Sequence, residues 1–285
     1  FVELAGIISE NPLALNVGRF DQFMYPYYKK DKDAGIIDHD TALELIELLW
    51  FKYSEWVWVI SSNTAGFFAG YTNFENLTIG GRKVDGTDGT NDISYMCVEA
   101  TMAVRTHQPT LSCRIAPDCP AEFLAAITEL VAEGMGFPAI HSDREGYQML
   151  RNIGYSPEDA MDWNNCGCVV PHSRKTFEWT SSCNISFTAA LEFAMNNGKS
   201  RLTGEQVALP EKDATEFESY DELYSAWCRQ FRNMVRHGVI SLNLAQQIHR
   251  ESRPRPFLSS CNEYCLKNGA DLVDGGAKYN IGPVF

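Results

Sequence analysis

The stretch Asp162-Trp163-Asn164-Asn165-Cys166-Gly167-Cys168-Val169-Val170-Pro171-His172 brings two thiols, a glycine, a proline and an imidazole into eleven residues. The run before it, Ser156-Pro157-Glu158-Asp159-Ala160-Met161, reads as a helix start, with Ser156 as N-cap, Pro157 first in the helix and acids in the first turn. A helix entering Cys-Gly-Cys-Val-Val-Pro cannot continue through the glycine and proline. The cysteines are therefore expected on a tight loop held by backbone constraint. Such a loop presents a thiol at a fixed point.

Outward from this stretch, short strands alternate with helices. Thr41 and Glu44 read as a capping box for a helix carrying Leu43, Ile46, Leu49 and Trp50, and Pro26 reads as a turn in an aromatic-rich segment. Val57-Trp58-Val59-Ile60 fits a late helical turn or a buried strand. Leu77-Thr78-Ile79 reads as a strand ending in a Gly80-Gly81 turn, which is no phosphate loop because no Lys-Ser/Thr follows. A helix is expected from Asn91 to about Arg105, and Leu111-Ser112-Cys113-Arg114-Ile115 alternates like a half-buried strand. Pro120 opens an amphipathic helix ending at Gly134. Phe137 to His141 reads as a strand, with Ser142 or Asp143 capping a helix to Gly154. Residues 186 to 197 are expected to be helical. Ser219 and Glu222 open a last long helix through Arg236, stopped near Gly238. The alternation argues for an α/β fold in one continuous domain, without internal repeat.

Composition narrows the class. The chain has 285 residues, 45% hydrophobic and 21% charged, an ordinary globular balance. Its net charge of −13, without a long basic run, disfavours nucleic acid and anionic membranes as partners. No apolar run approaches bilayer length and no signal peptide is visible. Nine cysteines, an odd number, favour reduced thiols in a cytoplasmic protein. Both ends look cut, so a fragment is expected.

The order of segments resembles the glycyl radical enzymes, relatives of pyruvate formate-lyase. The strings that carry the resemblance span the chain. They are Gly18-Arg19-Phe20-Asp21-Gln22 with Tyr25-Pro26-Tyr27-Tyr28, Asn76-Leu77-Thr78-Ile79-Gly80-Gly81, and Gln108-Pro109-Thr110-Leu111-Ser112. Gly136-Phe137-Pro138-Ala139, Gly167-Cys168-Val169, Leu191-Glu192-Phe193-Ala194-Met195-Asn196-Asn197-Gly198 and Gly275-Gly276-Ala277-Lys278-Tyr279-Asn280 follow. The resemblance implies a ten-stranded barrel of two five-stranded halves surrounded by helices, of which residues 1–285 form a central part truncated at both ends. It implies a glycyl radical on a C-terminal glycine outside this chain, installed by a radical-SAM activase, with no other cofactor and no metal. Cys168 then becomes a thiyl that abstracts hydrogen from a small-molecule substrate, starting C–C or C–X cleavage. An anaerobic, cytoplasmic homodimer is expected, inactive as this fragment alone.

Departures from the family pattern bear on the reaction. Eliminating branches carry Cys-Val-Glu, but the acid's position here is Val170. Diol dehydratases carry a Lys-Thr-x-x-Trp-His-Asp string, matched by Lys175-Thr176-Phe177-Glu178-Trp179-Thr180-Ser181. Two carboxylates for dehydrating a diol are thus missing. His172, Ser181 and Arg174 are the candidate substrate-binding residues, and the substrate is expected to bear a carboxylate or an apolar body, paired with Arg174 or Lys175. Other readings stay open: radical addition to fumarate, or a non-catalytic domain in which Cys166, Cys168 and His172 bind zinc without a clear fourth ligand. Cys166 reads as structural. His172 serves either as an acid–base group or as a hydrogen-bonded structural imidazole, and Glu178 as a weak acid–base candidate or a surface acid. Asp143 reads as a helix cap. Tyr25, Tyr27, Tyr28, Trp50, Trp56 and Trp58 read as core.

Overall fold

The computed structural model describes residues 14–56, 62, 66, 74–167, 169–178 and 184–281. Val57-Trp58-Val59-Ile60, Cys168 and Ser181 lie outside the described residues. The chain divides into two compact units, residues 1–176 and 177–285.

The first unit is built on four parallel strands in sequential order: β1 (Ala14–Gly18), β2 (Phe74–Gly80), β3 (Thr110–Ile115) and β4 (Ala139–Ser142). Helices α1 (Phe20–Asp33) and α2 (His39–Ser54) lie between β1 and β2, α3 (Asp92–Val104) between β2 and β3, and α4 (Ala121–Ala132) between β3 and β4. When every crossover has the same hand and each strand is laid beside its predecessor, the helices collect on one face. The core follows this rule. Leu77, Ile79, Leu111 and Cys113 of the strands pack with Phe20, Ile46, Trp50, Met96, Phe123, Ile127 and Leu130 of the helices. Each fully buried aliphatic or aromatic group of this set contributes about 1.5–3 kcal/mol.

The alternate residues on β2 and β3, Asn76, Thr78, Ser112 and Arg114, are polar and fully buried as well. Ser112 and Arg114 thus correct the half-buried reading of β3, because the face away from the helices is covered by the cysteine-bearing segment. α5 (Asp143–Asn152) and α6 (Pro157–Met161) lead into that segment, which forms an antiparallel hairpin of β5 (Asn164–Cys166) and β6 (Val170–His172).

Several local readings change. Asp38, rather than Thr41, caps α2 and accepts from the Thr41 N–H at 2.8 Å. Pro26 lies inside α1 instead of at a turn, and Tyr27 is 68% exposed rather than in the core. Gly80 and Gly81 do form a turn, both with positive φ (+71° and +70°). A Cβ on Gly81 would strike the side chains of Arg114 and Asp143 at under 3 Å, so only glycine lets β2 turn there.

β7 (Thr176–Glu178) pairs with β8 (Tyr279–Ile281), and in the second unit Phe177, Cys265, Leu272, Val273 and Ala277 form a small core. α7 (Phe187–Met195) packs along α8 (Tyr220–Ser252), where Phe187 stacks on Phe231 at 4.5 Å between ring centroids. α8 runs through Gly238, where a stop was expected. One glycine costs a helix only about 1 kcal/mol, and no proline follows until Pro254. α9 (Pro256–Ser260) and α10 (Glu263–Asn268) complete the unit.

Gly146 of α5 yields a test of the packing. Alanine normally stabilises a helix over glycine by about 1 kcal/mol. Here an added Cβ would meet the Trp163 ring at 2.4 Å. Gly146→Ala is expected to lower the melting temperature; a rise would show that Trp163 does not hold this position.

Candidate functional site

The hairpin enters at the C-terminal end of the strands and is fixed there by charge. Arg114, on β3, is fully buried. It donates from Nε to Asp143 Oδ1 (2.7 Å), from Nη1 to the Trp163 carbonyl (2.6 Å) and from Nη2 to the Met161 carbonyl (2.9 Å). The guanidinium also lies over the Trp163 ring, 4.6 Å from its centroid, and Trp163 Nε1 donates to the Asp143 carbonyl at 3.2 Å. Burial, and after it the charge of Arg19, pulls the Arg114 pKa down to about 9; the Asp143 carboxylate keeps it charged at neutral pH. Asp143 therefore pairs with Arg114, and Ser142 is the residue that caps α5. Neither the ion pair nor its role is legible in the sequence.

The Arg19-Phe20-Asp21-Gln22 string grips the neighbouring turn. Asp21 Oδ2 accepts from Gly80 N and Ser94 Oγ, both at 2.7 Å, while Arg19 Nη2 donates to Gly80 O at 2.9 Å and Nη1 to Asp162 Oδ1 at 3.2 Å. Gln22 Nε2 donates to Gly89 O at 2.7 Å. Burial raises the Asp21 pKa against the opposing pull of Arg19 and these hydrogen bonds.

From this anchored base the hairpin runs antiparallel to β2 across the polar face. Asn165 N donates to Thr78 Oγ1 at 3.0 Å, and Asn76 Nδ2 donates to Gly167 O at 3.2 Å. Gly167, which follows β5, thus lies over the first half of β2. His172 sits at the base, opposite Asn164, whereas Cys166 pairs with Val170 beside the tip. His172 Nε2 contacts Asn16 Nδ2 of β1. Gly18 N donates to Asn16 Oδ1 at 2.9 Å, which turns the amide so that Nδ2 faces the ring. Nε2 therefore accepts, and the proton of the neutral imidazole resides on Nδ1. Two further polar groups on this side are fully buried and meet no partner among the described residues: the Asn165 side-chain amide and Ser112 Oγ.

The expected site residues do not all meet. Arg174 is exposed two residues beyond the base. With Val84, Glu158, Asp159, Asp162, Ser173 and Lys175 it lines a cavity of about 140 Å³. Lys175 Nζ lies 2.6 Å from Asp159 Oδ1, and three of the lining residues are acids, so this cavity is poorly suited to an anion. Among the described residues no three His, Cys, Asp or Glu side chains are grouped to hold a metal, and no helix is long and apolar enough to cross a membrane. Cys166 is half-buried.

Both the sequence and the fold have counterparts among known proteins. The pyruvate formate lyase-like family model matches residues 1–285, and the chain belongs to that family. It is 32% identical to the isethionate sulfite-lyase of Oleidesulfovibrio alaskensis, over 90% of this chain and 31% of the relative. It is 30% identical to the trans-4-hydroxy-L-proline dehydratase of Clostridioides difficile, over 94% of this chain and 34% of the relative. Among solved structures, the glycerol-bound B12-independent glycerol dehydratase from Clostridium butyricum superposes with a TM-score of 0.87 at 36% identity, covering 94% of this chain and 34% of that one. A glycyl radical enzyme from Archaeoglobus fulgidus superposes with a TM-score of 0.89 at 30% identity, covering 95% of this chain and 35% of that one. The chain spans about a third of the length of the curated relatives it matches.

The His172 environment sets a pH dependence. Burial pushes its pKa down to about 4, from 6.5 for a free ring. The unfolded chain takes up the proton first. The neutral ring's contribution to stability is therefore full above pH 6.5 and declines as pH falls toward 4, by about 3 kcal/mol at the lower end. NMR of the imidazole carbons is expected to show a neutral Nδ1–H ring down to pH 5. A ring titrating near 6.5 would refute the buried, Asn16-bound geometry.

Proposed function

We propose that this chain is the cysteine-bearing part of a glycyl-radical lyase, and that Cys168 is its hydrogen-relay thiol. One observation carries the reading. Residue 168 directly follows Gly167, whose carbonyl is held by the buried Asn76 on the polar face of the sheet. A thiyl must be kept from water and oxygen, and the burial of Gly167, the residue before it, supports that need. A glycyl radical, which the resemblance puts outside residues 1–285, supplies the unpaired electron. Cys168 gives its S–H hydrogen atom to that radical, and the resulting thiyl takes a hydrogen atom from a substrate C–H bond. After cleavage the thiol returns it to the product radical, recovering the thiyl, which takes back the first hydrogen atom from the glycine. The reading extends to two five-stranded half-barrels, with the sequential β1–β4 order as part of one half. It also extends to a radical-SAM activase as partner, and to a cytoplasmic homodimer as its setting.

The reaction class is C–C or C–X cleavage of a small substrate, a class that includes what the sulfite-lyase and hydroxyproline dehydratase relatives do. His172, engaged through Nε2 and held neutral, supports the hairpin in this reading and does not serve as an acid. Ser181 remains a candidate hydroxyl near the substrate. Arg174 and Lys175, beyond the base of the hairpin, are left out of the substrate site.

Two experiments test the proposal on the whole polypeptide that carries this chain. After anaerobic activation an organic radical signal is expected. Cys168→Ala should abolish turnover with the signal intact, and Cys166→Ala should keep measurable turnover. The reverse pattern would move the relay to Cys166, and zinc released by both substitutions would favour a metal-bound domain.

The second experiment concerns Val170, which cannot accept a hydroxyl proton where eliminating relatives carry an acid. Glycerol and propane-1,2-diol are therefore expected to be poor substrates, in contrast to the glycerol dehydratase of Clostridium butyricum. Efficient dehydration of either by the unmodified enzyme would show that the acid–base groups come from elsewhere.

A further inference from the structure

We infer that Asn76, a residue of β2 far from the cysteine in sequence, is a positioning residue for the relay thiol. The inference rests on the reading of Cys168 given above. The Gly167 carbonyl belongs to the same peptide unit as the amide nitrogen of residue 168. A hydrogen bond to that oxygen therefore sets the orientation of the plane from which Cys168 departs. Asn76 Nδ2 makes this bond at 3.2 Å from a fully buried position.

The direction of the Asn76 amide is itself determined. Thr78 Oγ1 accepts from Asn165 N at 3.0 Å, which commits one side of the hydroxyl to the hairpin backbone. Its own proton faces Asn76 Oδ1 across 3.5 Å, a long and weak contact beside the other two. With Oδ1 facing Thr78, Nδ2 faces Gly167. The sequence Asn165 N–H, Thr78 hydroxyl, Asn76 amide, Gly167 carbonyl forms a continuous chain of donors and acceptors. It starts and ends on the hairpin and passes through two alternate residues of one rigid strand. β5 and β6 are three residues each, too short to fix the turn by their own ladder. The chain of side chains transfers the rigidity of the parallel sheet to the turn.

Hydrogen-atom transfer requires donor and acceptor close together along a defined line. A displacement of about 1 Å can cost about a hundredfold in rate. Asn76 is thus expected to act on kcat through the position of Cys168, with no contact to substrate required.

The test uses Asn76→Asp and Asn76→Leu in the activated whole polypeptide. Asn76→Leu removes the donor at all pH values, and kcat should fall by about tenfold or more with KM within about twofold and the radical signal unchanged. Asn76→Asp is isosteric, and its carboxyl can donate to Gly167 only when protonated. Its kcat, relative to the wild type at each pH, should be lowest near pH 8 and rise as pH falls, while the Asn76→Leu ratio stays flat. Folded variants that both retain wild-type kcat would overturn the inference. So would parallel, pH-independent losses in the two variants, accompanied by loss of the radical signal, since these would mark Asn76 as a packing residue. Cys168→Ala is measured alongside. Turnover that survives it defeats the reading of Cys168 itself, whereas an inactive Cys168→Ala beside fully active Asn76 variants defeats only the positioning role.

Discussion

A buried guanidinium holds the first unit together at the point where chemistry is expected. Arg114 takes its charge partner from the start of α5 and two carbonyls from the segment that enters the hairpin. Removing both charges from water is costly, and the pair tolerates burial because its donors are spent on fixed acceptors of good geometry. What the ion pair contributes is specificity of placement. One side chain forces the C-terminal end of β3, the first turn of α5 and the Met161–Trp163 segment to a single arrangement. Trp163 then fills the space left by Gly146, and the hairpin has only one direction in which to run.

The remaining polar groups extend that constraint. Arg19 and Asp21 hold Gly80 by its carbonyl and its amide, and Asn16, Asn76 and Thr78 meet the hairpin along its length. An apolar contact would tolerate sliding of the hairpin by a residue. Directional hydrogen bonds at three levels do not, because a slip leaves buried groups unpaired, at about 1–3 kcal/mol each. The polar face of the sheet therefore works as a template, while the opposite face supplies the hydrophobic stability.

Much of this was legible in the sequence, and the exceptions share a cause. The α/β class, β2, β3, α3, α4, α6 and the Gly80-Gly81 turn follow from local periodicity and capping residues. The hairpin does not: three-residue strands carry no period, and their partners lie on β1 and β2, some ninety or more residues earlier. Arg114 sits in an alternating strand where a charged residue reads as solvent-facing, and Asp143 follows a strand where an acid reads as a cap. A residue-by-residue pattern cannot disclose that the two meet. The sign that could have raised the question is an arginine flanked by apolar residues at the end of a strand expected to be interior. The order of family strings around Gly167-Cys168, by contrast, points to this segment as the site without disclosing its shape.

The sequential strand order has a further consequence. Among the described residues, β1 and β4 each carry a ladder on one side only. An outer row of backbone amides and carbonyls on an edge strand, where left uncovered, can recruit a foreign strand. Expressed apart from whatever covers those edges, this stretch would be prone to self-association through them. Solubility would then depend on occupancy of the edges more than on the surface charge of −13.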